Sequence, residues 1–333
     1  MRSDCGRHAV SVYLKLLLAG VFLNGLFQID ACAAEHYPQR PIRLLIGYPP
    51  GGAVDATGRM LAQKLGDAMG QQVIVDNRAG GGSVIASELV ARAAPDGYTL
   101  LFANGQHAIN PGLLKKLPYD TLKDFSAVSI VTTSQFVIVV HPSLAVKNIR
   151  ELIALAKAKP ATIAYGSGGV GSPTHLSVEL LENMAGIELV HVPYKGAGPV
   201  LTDLIGGQIQ LACITTLPAQ PHIRSGRLRA LATTGSSRLA AEPDIPTVAE
   251  SGVPGYESTT WSVLLAPAAT PSAIVARLQD ETSRAIKSPK TAALLATQGA
   301  EPVGGSSADA TRFVQAEVAR WTTLIQRINV QSN

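Results

Sequence analysis

The sequence predicts an α/β protein of two domains, each a largely parallel sheet with helices on both faces. Three observations support this prediction. Short apolar runs alternate with helical patterns, several of those runs are apolar on consecutive residues, and 333 residues exceed the usual length of one domain. With 46% hydrophobic and 16% charged residues, the chain can also bury a substantial core.

The apolar runs have the lengths of strands. They cover residues 42–48, 73–76, 99–103, 137–140, 162–165, 189–192, 209–214, 228–233 and 262–266. Helical patterns follow most of them, and two further helices are predicted around residues 274–286 and 309–328, where apolar side chains recur at helical spacing. Strands that alternate with helices in this way are typical of parallel sheets.

Three of the predicted strands run into a glycine-rich loop and then a helix. The loops read PPGGAVD (49–55), GSGGVGSPTH (166–175) and PYKGAGP (193–199). Pro173 and Pro199 are predicted to begin helices, and Ser172 fits an N-cap. Because ligands bind beyond the carboxyl ends of such strands, where helix N–H groups are unpaired, the loops predict an anion-binding cleft between the two domains.

The middle loop also matches the dinucleotide-binding pattern G-x-G-x-x-G through Gly166, Gly168 and Gly171. That fingerprint requires an acidic residue at the end of the next strand. The next strand is followed instead by Pro193 and Tyr194. No nucleotide cofactor is therefore predicted.

Nucleophilic catalysis is a weaker interpretation of the same loop. Ser167, Ser172 and His175 lie close together and His107 sits in another loop, but no G-x-S-x-G elbow is present. Ser172 as a helix cap, and His175 as a first-turn residue bonded to the backbone, are favoured. The histidines form neither H-x-H nor H-E-x-x-H, so no metal site is predicted either.

The N-terminus predicts export. Basic residues precede an apolar run at residues 16–27, and Ala31-Cys32-Ala33 follows it, which is the layout of a signal peptide over residues 1–33. The run is too short for a comfortable membrane span. Asp30 fits a lipoprotein cleavage box poorly, so lipid anchoring at Cys32 is not expected.

The residues that would remain after export predict neither a disulfide nor nucleic-acid binding. Cys213 then has no cysteine partner, so no intramolecular disulfide is predicted, and its apolar neighbours indicate a buried packing role. The net charge is only +4 and the charged residues are scattered without a basic run. Nucleic acid is therefore not an expected partner.

Motifs along almost the whole exported chain resemble one family, the substrate-binding receptors of tripartite tricarboxylate transporters, often called the Bug family. The stretches that carry the resemblance occur in order: YPQRPIRLLIGYPPGGAVD (37–55), VDNRAGGGSVIASELVARAAPDGYTLLFA (75–103), HAINP (107–111), LPYDTLKDF (117–125), YGSGGVGSPTHL (165–176), VPYKGAGPVLTDLIGGQI (192–209), PHIRSGRLRALATT (221–234), IPTVAESGVPGYE (245–257) and LLAPAATP (264–271).

The resemblance implies two Rossmann-like domains with a hinge, in the type II periplasmic binding protein architecture. Domain 1 would comprise residues 34–133 plus 262–333, and domain 2 residues 134–261. The chain would cross between them near residues 133–137 and 258–262. The two C-terminal helices would pack back on domain 1.

The resemblance also implies a site that holds a carboxylate through loop amides, hydroxyls and water rather than arginine. Asp55 is expected to brace the first loop, and Lys195 to lie beside the anion or in solvent. Carried over by motif, the ligand-binding residues are Tyr48, Pro50, Gly51, Gly52, Asp55, Ala103, Asn104, Gln106, Ser167, Gly168, Gly171, Ser172, Thr174, His175, Tyr194, Lys195, Gly196 and Thr215.

The implied function is that of a periplasmic receptor without enzymatic activity or cofactor. It would capture a small carboxylate (a di- or tricarboxylate, an aromatic acid or an amino acid) by domain closure and deliver it to a membrane permease. A periplasmic sensor kinase is the alternative partner, and an exported serine hydrolase using Ser167 or Ser172 is the alternative function. Thr215-Thr216 and Trp261-Ser262-Val263 depart from the family pattern, which leaves the ligand open.

Overall fold

The computed structural model describes residues 37–297, 299–328 and 330. The predicted signal peptide, with Cys5 and Cys32, lies outside these residues. Within them, every helix is too short or too polar to span a bilayer.

The strands and helices alternate along the chain. The strands are β1 (Ile42–Ile46), β2 (Val73–Asn77), β3 (Thr99–Asn104), β4 (Phe125–Val140), β5 (Ala164–Ser167), β6 (Val190–Pro193), β7 (Leu211–Thr215), β8 (Arg229–Thr233), β9 (Thr259–Pro267) and β10 (Glu301–Pro302). The helices are α1 (Ala53–Met69), α2 (Val84–Ala91), α3 (Gln106–Leu113), α4 (Ile149–Ala158), α5 (Pro173–Ala185), α6 (Ala197–Ile205), α7 (Thr216–Arg224), α8 (Ser272–Lys287), α9 (Pro289–Thr297) and α10 (Ser307–Ile328).

The strands form one continuous sheet in the order β2-β1-β3-β9-β4-β7-β5-β6, and β8 and β10 also pair with β4. Strands β1, β2 and β3 are parallel, as are β5, β6 and β7. Strand β4 pairs with β9 as far as Gln135 and with β7 from Phe136 onward. One 16-residue strand therefore belongs to both halves of the sheet.

Each half of the sheet has a core on both faces, which explains the uninterrupted apolar runs. In the half with β1–β3, one face packs under α1 and α8 around Leu61 and Leu278, and the other under α3 and α10 around Trp321. In the half with β5–β7, separate clusters surround Tyr165 and Val200. The predicted α/β fold with helices on both faces is confirmed.

Of the two predicted helix starts, one is confirmed and one is wrong. Helix α5 begins at Pro173 with Ser172 as its N-cap, but α6 begins at Ala197, two residues before Pro199. Pro199 is tolerated there because the first N–H groups of a helix have no intrahelical acceptor. The predicted C-terminal helices are α8 and α10, and both contact β4. Cys213 is fully buried, as expected.

Strand β4 was only partly predicted. The sequence indicated a strand at residues 137–140, whereas the structure extends it back to Phe125. The missed part carries polar residues that the apolar pattern does not register. Ser129 and Thr132 are nevertheless buried, and the Thr132 hydroxyl lies 2.6 Å from that of Ser262 on β9. The predicted crossings, 133–137 and 258–262, fall on β4 and around the start of β9; the domain boundaries and the hinge stay predictions.

Candidate functional site

Asp55 stabilises the first glycine-rich loop, residues 49–55, through a hydrogen bond to its backbone. Its carboxylate is buried and accepts hydrogen bonds from Gly51 N at 2.9 Å, Arg59 Nε at 2.9 Å and Asn77 Nδ2 at 2.8 Å. The hydrogen bond from Arg59, with those from Gly51 and Asn77, lowers the pKa of Asp55 to about 2. The predicted bracing contact to the backbone is present, while Pro50, Gly51 and Gly52 are exposed.

A second cluster lies where β3 ends. The hydroxyl of Tyr48 donates to Asn104 Oδ1 at 3.0 Å, and the same oxygen accepts from Gln106 N at 3.2 Å. Burial raises the pKa of Tyr48 to about 12, so the phenol stays a neutral donor. Because Oδ1 of Asn104 already accepts these two hydrogen bonds, its Nδ2 group is the part of the amide that can donate to a further partner. Ala103, the preceding residue, is buried.

A cleft of about 70 Å³ adjoins Asn104. It is lined by the first residues of α1 and by the segments of β4 and β9 where the chain crosses between the two halves. The lining residues are Ala53, Val54, Thr57, Phe102, Asn104, Thr132, Ser134, Thr260, Trp261, Ser262 and Ala300. None of them carries a positive charge, so the polar groups that can face a ligand there are the N–H groups at the start of α1, hydroxyls and one amide.

Sequence reasoning identified only part of this lining. Asn104 was predicted, whereas Thr57, Thr132 and Ala300 were missed. The crossings predicted at residues 133–137 and 258–262 were the signal for Ser134, Thr260, Trp261 and Ser262. Trp261 itself is buried, and its Nε1 donates to Glu317 Oε2 at 2.8 Å, which fixes the indole against α10.

The loop at residues 166–175 satisfies most of its own backbone donors. Gly168 N donates to Thr174 Oγ1 at 3.0 Å, Gly169 N to Ser167 Oγ at 3.1 Å, and Gly171 N to His175 Nδ1 at 3.1 Å. The side chain of Ser172 accepts from His175 N at 3.2 Å. The predicted cap and the predicted His175–backbone bond are both present. In this conformation, the loop N–H groups that were expected to face an anion donate instead to the side chains of Thr174, Ser167 and His175.

A stack of aromatic rings supports this loop. Tyr165, His191 and His175 lie face to face, with ring centroids 4.9 Å apart for the first pair and 3.9 Å for the second. Ser167 Oγ lies 2.6 Å from His191 Nε2, and His175 Nε2 lies 3.2 Å from Glu179 Oε1. Sequence reasoning missed His191, because only the pairing of β5 with β6 places it opposite Tyr165.

The third loop adjoins the second. Tyr194 N donates to Ser167 O at 3.0 Å, and the Tyr194 hydroxyl donates to Asp203 Oδ2 at 2.8 Å. Lys195 is exposed, and Gly196 takes φ 104° immediately before α6. Thr215 ends β7 opposite Phe136.

The predicted residues thus fall into two groups, one in each half of the sheet. Tyr48, Asp55 and Asn104 are linked through hydrogen bonds, partly by way of Asn77, which also donates to Tyr48 O at 2.9 Å. The second group comprises the 166–175 loop and Tyr194. The two halves touch at Gly171, where an added Cβ would press against the side chain of Leu113 at the end of α3.

The structure changes the interpretation of His107 and of the two candidate nucleophiles, Ser167 and Ser172. His107 lies in α3 and not in a loop, and it is buried between Tyr119 and Phe125. Ser167 has a histidine neighbour, but it is wholly buried and also bonds to Gly169 O. Ser172 serves as the cap. Among residues 37–297, 299–328 and 330, no three histidine, cysteine or acidic side chains meet as a metal site.

Comparison with known proteins decides the family. The sequence profile described as "Tripartite tricarboxylate transporter family receptor" matches residues 57–330. BugT of Bordetella pertussis is 37% identical over 314 residues, which span 93% of this chain and 96% of BugT. The chain belongs to the tripartite tricarboxylate transporter receptor family. The resemblance found in the sequence is confirmed, and with it the class of solute-binding receptor.

Solved structures of similar proteins share the fold. Rpa4515 of R. palustris, solved with adipate, is 35% identical with a TM-score of 0.78, covering 89% of this chain and 100% of that one. MatC from Rhodopseudomonas palustris, solved with bound malate, is 29% identical with a TM-score of 0.74, covering 87% and 100%. The periplasmic binding protein BugD is 30% identical with a TM-score of 0.75, covering 89% and 100%. The predicted type II periplasmic binding protein architecture is confirmed, and members of the family are periplasmic.

Proposed function

We propose that the protein captures a small carboxylate between its two domains and delivers it to a membrane permease. The observation that carries the proposal is the cleft at Asn104. It joins the N-terminus of a 17-residue helix, α1, to hydroxyl-bearing residues on both crossing strands, without a cationic side chain. Such a site can hold a carboxylate through N–H and hydroxyl donors alone. The adipate in Rpa4515 and the malate in MatC suggest the same class of ligand.

Each half of the protein contributes to the proposed binding step. The carboxylate would meet the start of α1 and the Nδ2 group of Asn104, whose oxygen accepts from the Tyr48 hydroxyl. The loops with Gly168 and Lys195 would approach from the other half as the hinge closes. Closure removes water from the cleft, which strengthens each charge-assisted hydrogen bond.

The volume of the cleft limits the size of the ligand group that can enter it. A volume of about 70 Å³ has room for several water molecules, at about 10–15 Å³ for each. It therefore fits a carboxylate group with a short chain, and a longer chain would extend toward the second half. We include di- and tricarboxylates, aromatic acids and amino acids among the candidates.

A thermal-shift screen tests the ligand class. Mono-, di- and tricarboxylates, aromatic acids and amino acids are added to the purified protein, with neutral sugars as controls. A ligand that binds only the folded protein raises the melting temperature, by an amount that grows with its concentration. Shifts with sugars but with no carboxylate would contradict the proposal.

The variant Asn104→Asp tests the site itself. The change keeps the oxygen that Tyr48 and Gln106 use and replaces the donor NH2 by a negative oxygen. Affinity for a carboxylate should fall by at least about tenfold, because an N–H donor is lost and like charges meet. Isothermal titration calorimetry measures it, with Asn183→Asp, an exposed site on α5, as the control for added charge. Equal affinity in both variants would remove Asn104 from the site.

Delivery to a permease is tested separately. Uptake of the identified carboxylate should be lost in cells that lack this receptor and should return when it is supplied. Normal uptake together with a lost transcriptional response would favour the sensor kinase as partner instead.

A further inference from the structure

The stack of Tyr165, His191 and His175 lies directly under the glycine loop at residues 166–171. Tyr165 and His175 are buried, and His191 is partly buried. The two imidazole rings are 3.9 Å apart and nearly parallel, with 25° between their planes. Two histidines at this distance can both be neutral, but they repel each other if both carry a proton.

Each histidine holds the loop at one point. Gly171 N donates to His175 Nδ1 at 3.1 Å, and His191 Nε2 lies 2.6 Å from Ser167 Oγ. Because Nδ1 of His175 is an acceptor, its proton must sit on Nε2, which faces Glu179 Oε1 at 3.2 Å. The loop conformation therefore depends on a neutral His175 in one tautomer.

Protonation removes this arrangement. A proton on Nδ1 of His175 would point at the N–H of Gly171, so two donors would meet and the bond would be lost. The titratable groups around the pair are Tyr165 on β5, Glu179 and Glu182 on α5, and, next to Tyr165, Cys213 on β7. Glu179 favours a proton on His191. Burial first, and then the charge of His175, lowers the pKa of His191 to about 4.

The consequence extends to the contact between the two halves. Gly171 takes φ 71° and lies against Leu113 of α3, so an added Cβ would be strained at this φ and would require the Leu113 side chain to move. A loop released from His175 would shift at this contact as well. The ring stack is thus connected to the surface on which the two domains close.

We propose that His175 and His191 are positioning residues for the glycine loop, and that protonation of His175 at Nδ1 releases the loop and weakens ligand binding. This inference rests on the proposed carboxylate site for its effect on affinity. Burial lowers the folded-state pKa of His191, so a proton on His191 adds to the effect: the buried ring stack loses stability as pH falls from about 6.5 to about 4. Binding should therefore be strong at neutral pH and weaken across this window.

The test compares the wild type with the double variant His175→Asn, His191→Gln. The Asn oxygen can accept from Gly171 N in place of Nδ1, and the Gln amide can reach Ser167 in place of Nε2, but neither titrates. His141→Gln is the matched control, since His141 also pairs with a serine, Ser143 Oγ, at 2.7 Å, but lies outside the loop.

Calorimetry with malate and with adipate, between about pH 7.5 and about pH 4.5, measures the slope of affinity against pH. The wild type and His141→Gln should lose at least about tenfold more affinity over this range than the double variant, since one coupled proton contributes up to about tenfold per pH unit. The titration of the ligand is common to all three proteins and cancels in the comparison. A double variant with the wild-type slope overturns the proposal.

A second measurement needs no ligand. The amide NMR signal of Gly171 should move with pH in the wild type and in His141→Gln, and stay fixed in the double variant. If no carboxylate binds at any pH, the proposed function fails, and the release of the loop is decided by this signal alone. A Gly171 signal that stays fixed in the wild type refutes the release.

Discussion

Asp55 shows how a charged residue can serve an anion site without touching the anion. Its three hydrogen-bond donors come from the loop, from its own helix and from β2. The contact with Arg59 balances its charge locally. A carboxylate ligand at the start of α1 would therefore meet free N–H groups rather than an uncompensated negative charge.

The substitution Asp55→Asn should reduce stability in a pH-dependent way. The lowered pKa means that Asp55 stabilises the fold above about pH 3.8, and that this contribution is lost as pH falls toward about 2. At neutral pH the variant should lose about 1–3 kcal/mol, as expected for hydrogen bonds to a charged group. Urea unfolding at several acidic pH values should show a flatter pH dependence than in the wild type, while Asp67→Asn, exposed on the same helix, should retain it.

The site residues that could be predicted are those whose hydrogen bonds depend only on nearby residues in the sequence. Ser172 and His175 stand at fixed positions around a helix start, so their bonds follow from spacing alone. His191 has no such signal. It reaches Ser167 and His175 only because β6 pairs with β5 in one register, and a single sequence does not reveal that register.

At the scale of elements, helix α6 shows that the two glycines of its loop have different roles. Gly196 has φ 104° just before the helix, whereas Gly198 lies inside the first turn with ordinary backbone angles. Neither would bring an added Cβ into contact with a neighbour. Any difference between them must therefore come from the backbone.

Replacing each glycine by alanine separates these roles. Gly196→Ala should destabilise the protein by about 1–2 kcal/mol, because an L-residue is strained at this positive φ. Gly198→Ala should be neutral or slightly stabilising, since alanine favours the helix. Urea unfolding of the two variants measures the difference, and equal stabilities would show that the loop adapts to the side chain.

Strand β4 shows the limit of reading elements from apolar patterns. Its second part, residues 137–140, is uniformly apolar and was predicted. Its first part includes Ser126, Ser129 and Thr132, and the hydroxyls of all three find partners in the fold. These hydrogen-bond partners lie more than a hundred residues away in the sequence, so the local pattern of apolar residues does not predict them.

At the scale of the whole molecule, the sheet connects two halves through β4 and the approach to β9. If these crossings act as the hinge, ligand binding should close the cleft and make the protein more compact. Small-angle X-ray scattering should then show a smaller radius of gyration with a saturating carboxylate than without it. An unchanged radius for a ligand that calorimetry shows to be bound would contradict closure.

The position of β9 also sets an order of assembly. It lies between β3 and β4 in the sheet but follows both halves of the fold in the chain. While the chain is being synthesised, the edges of β3 and β4 that pair with β9 therefore lack this partner until Thr259–Pro267 emerges. The half that contains the N-terminus is completed last. If the chain is exported, as the sequence predicts, we expect this order to keep the first half of the chain unfolded for longer, which is the state in which a chain can cross a membrane.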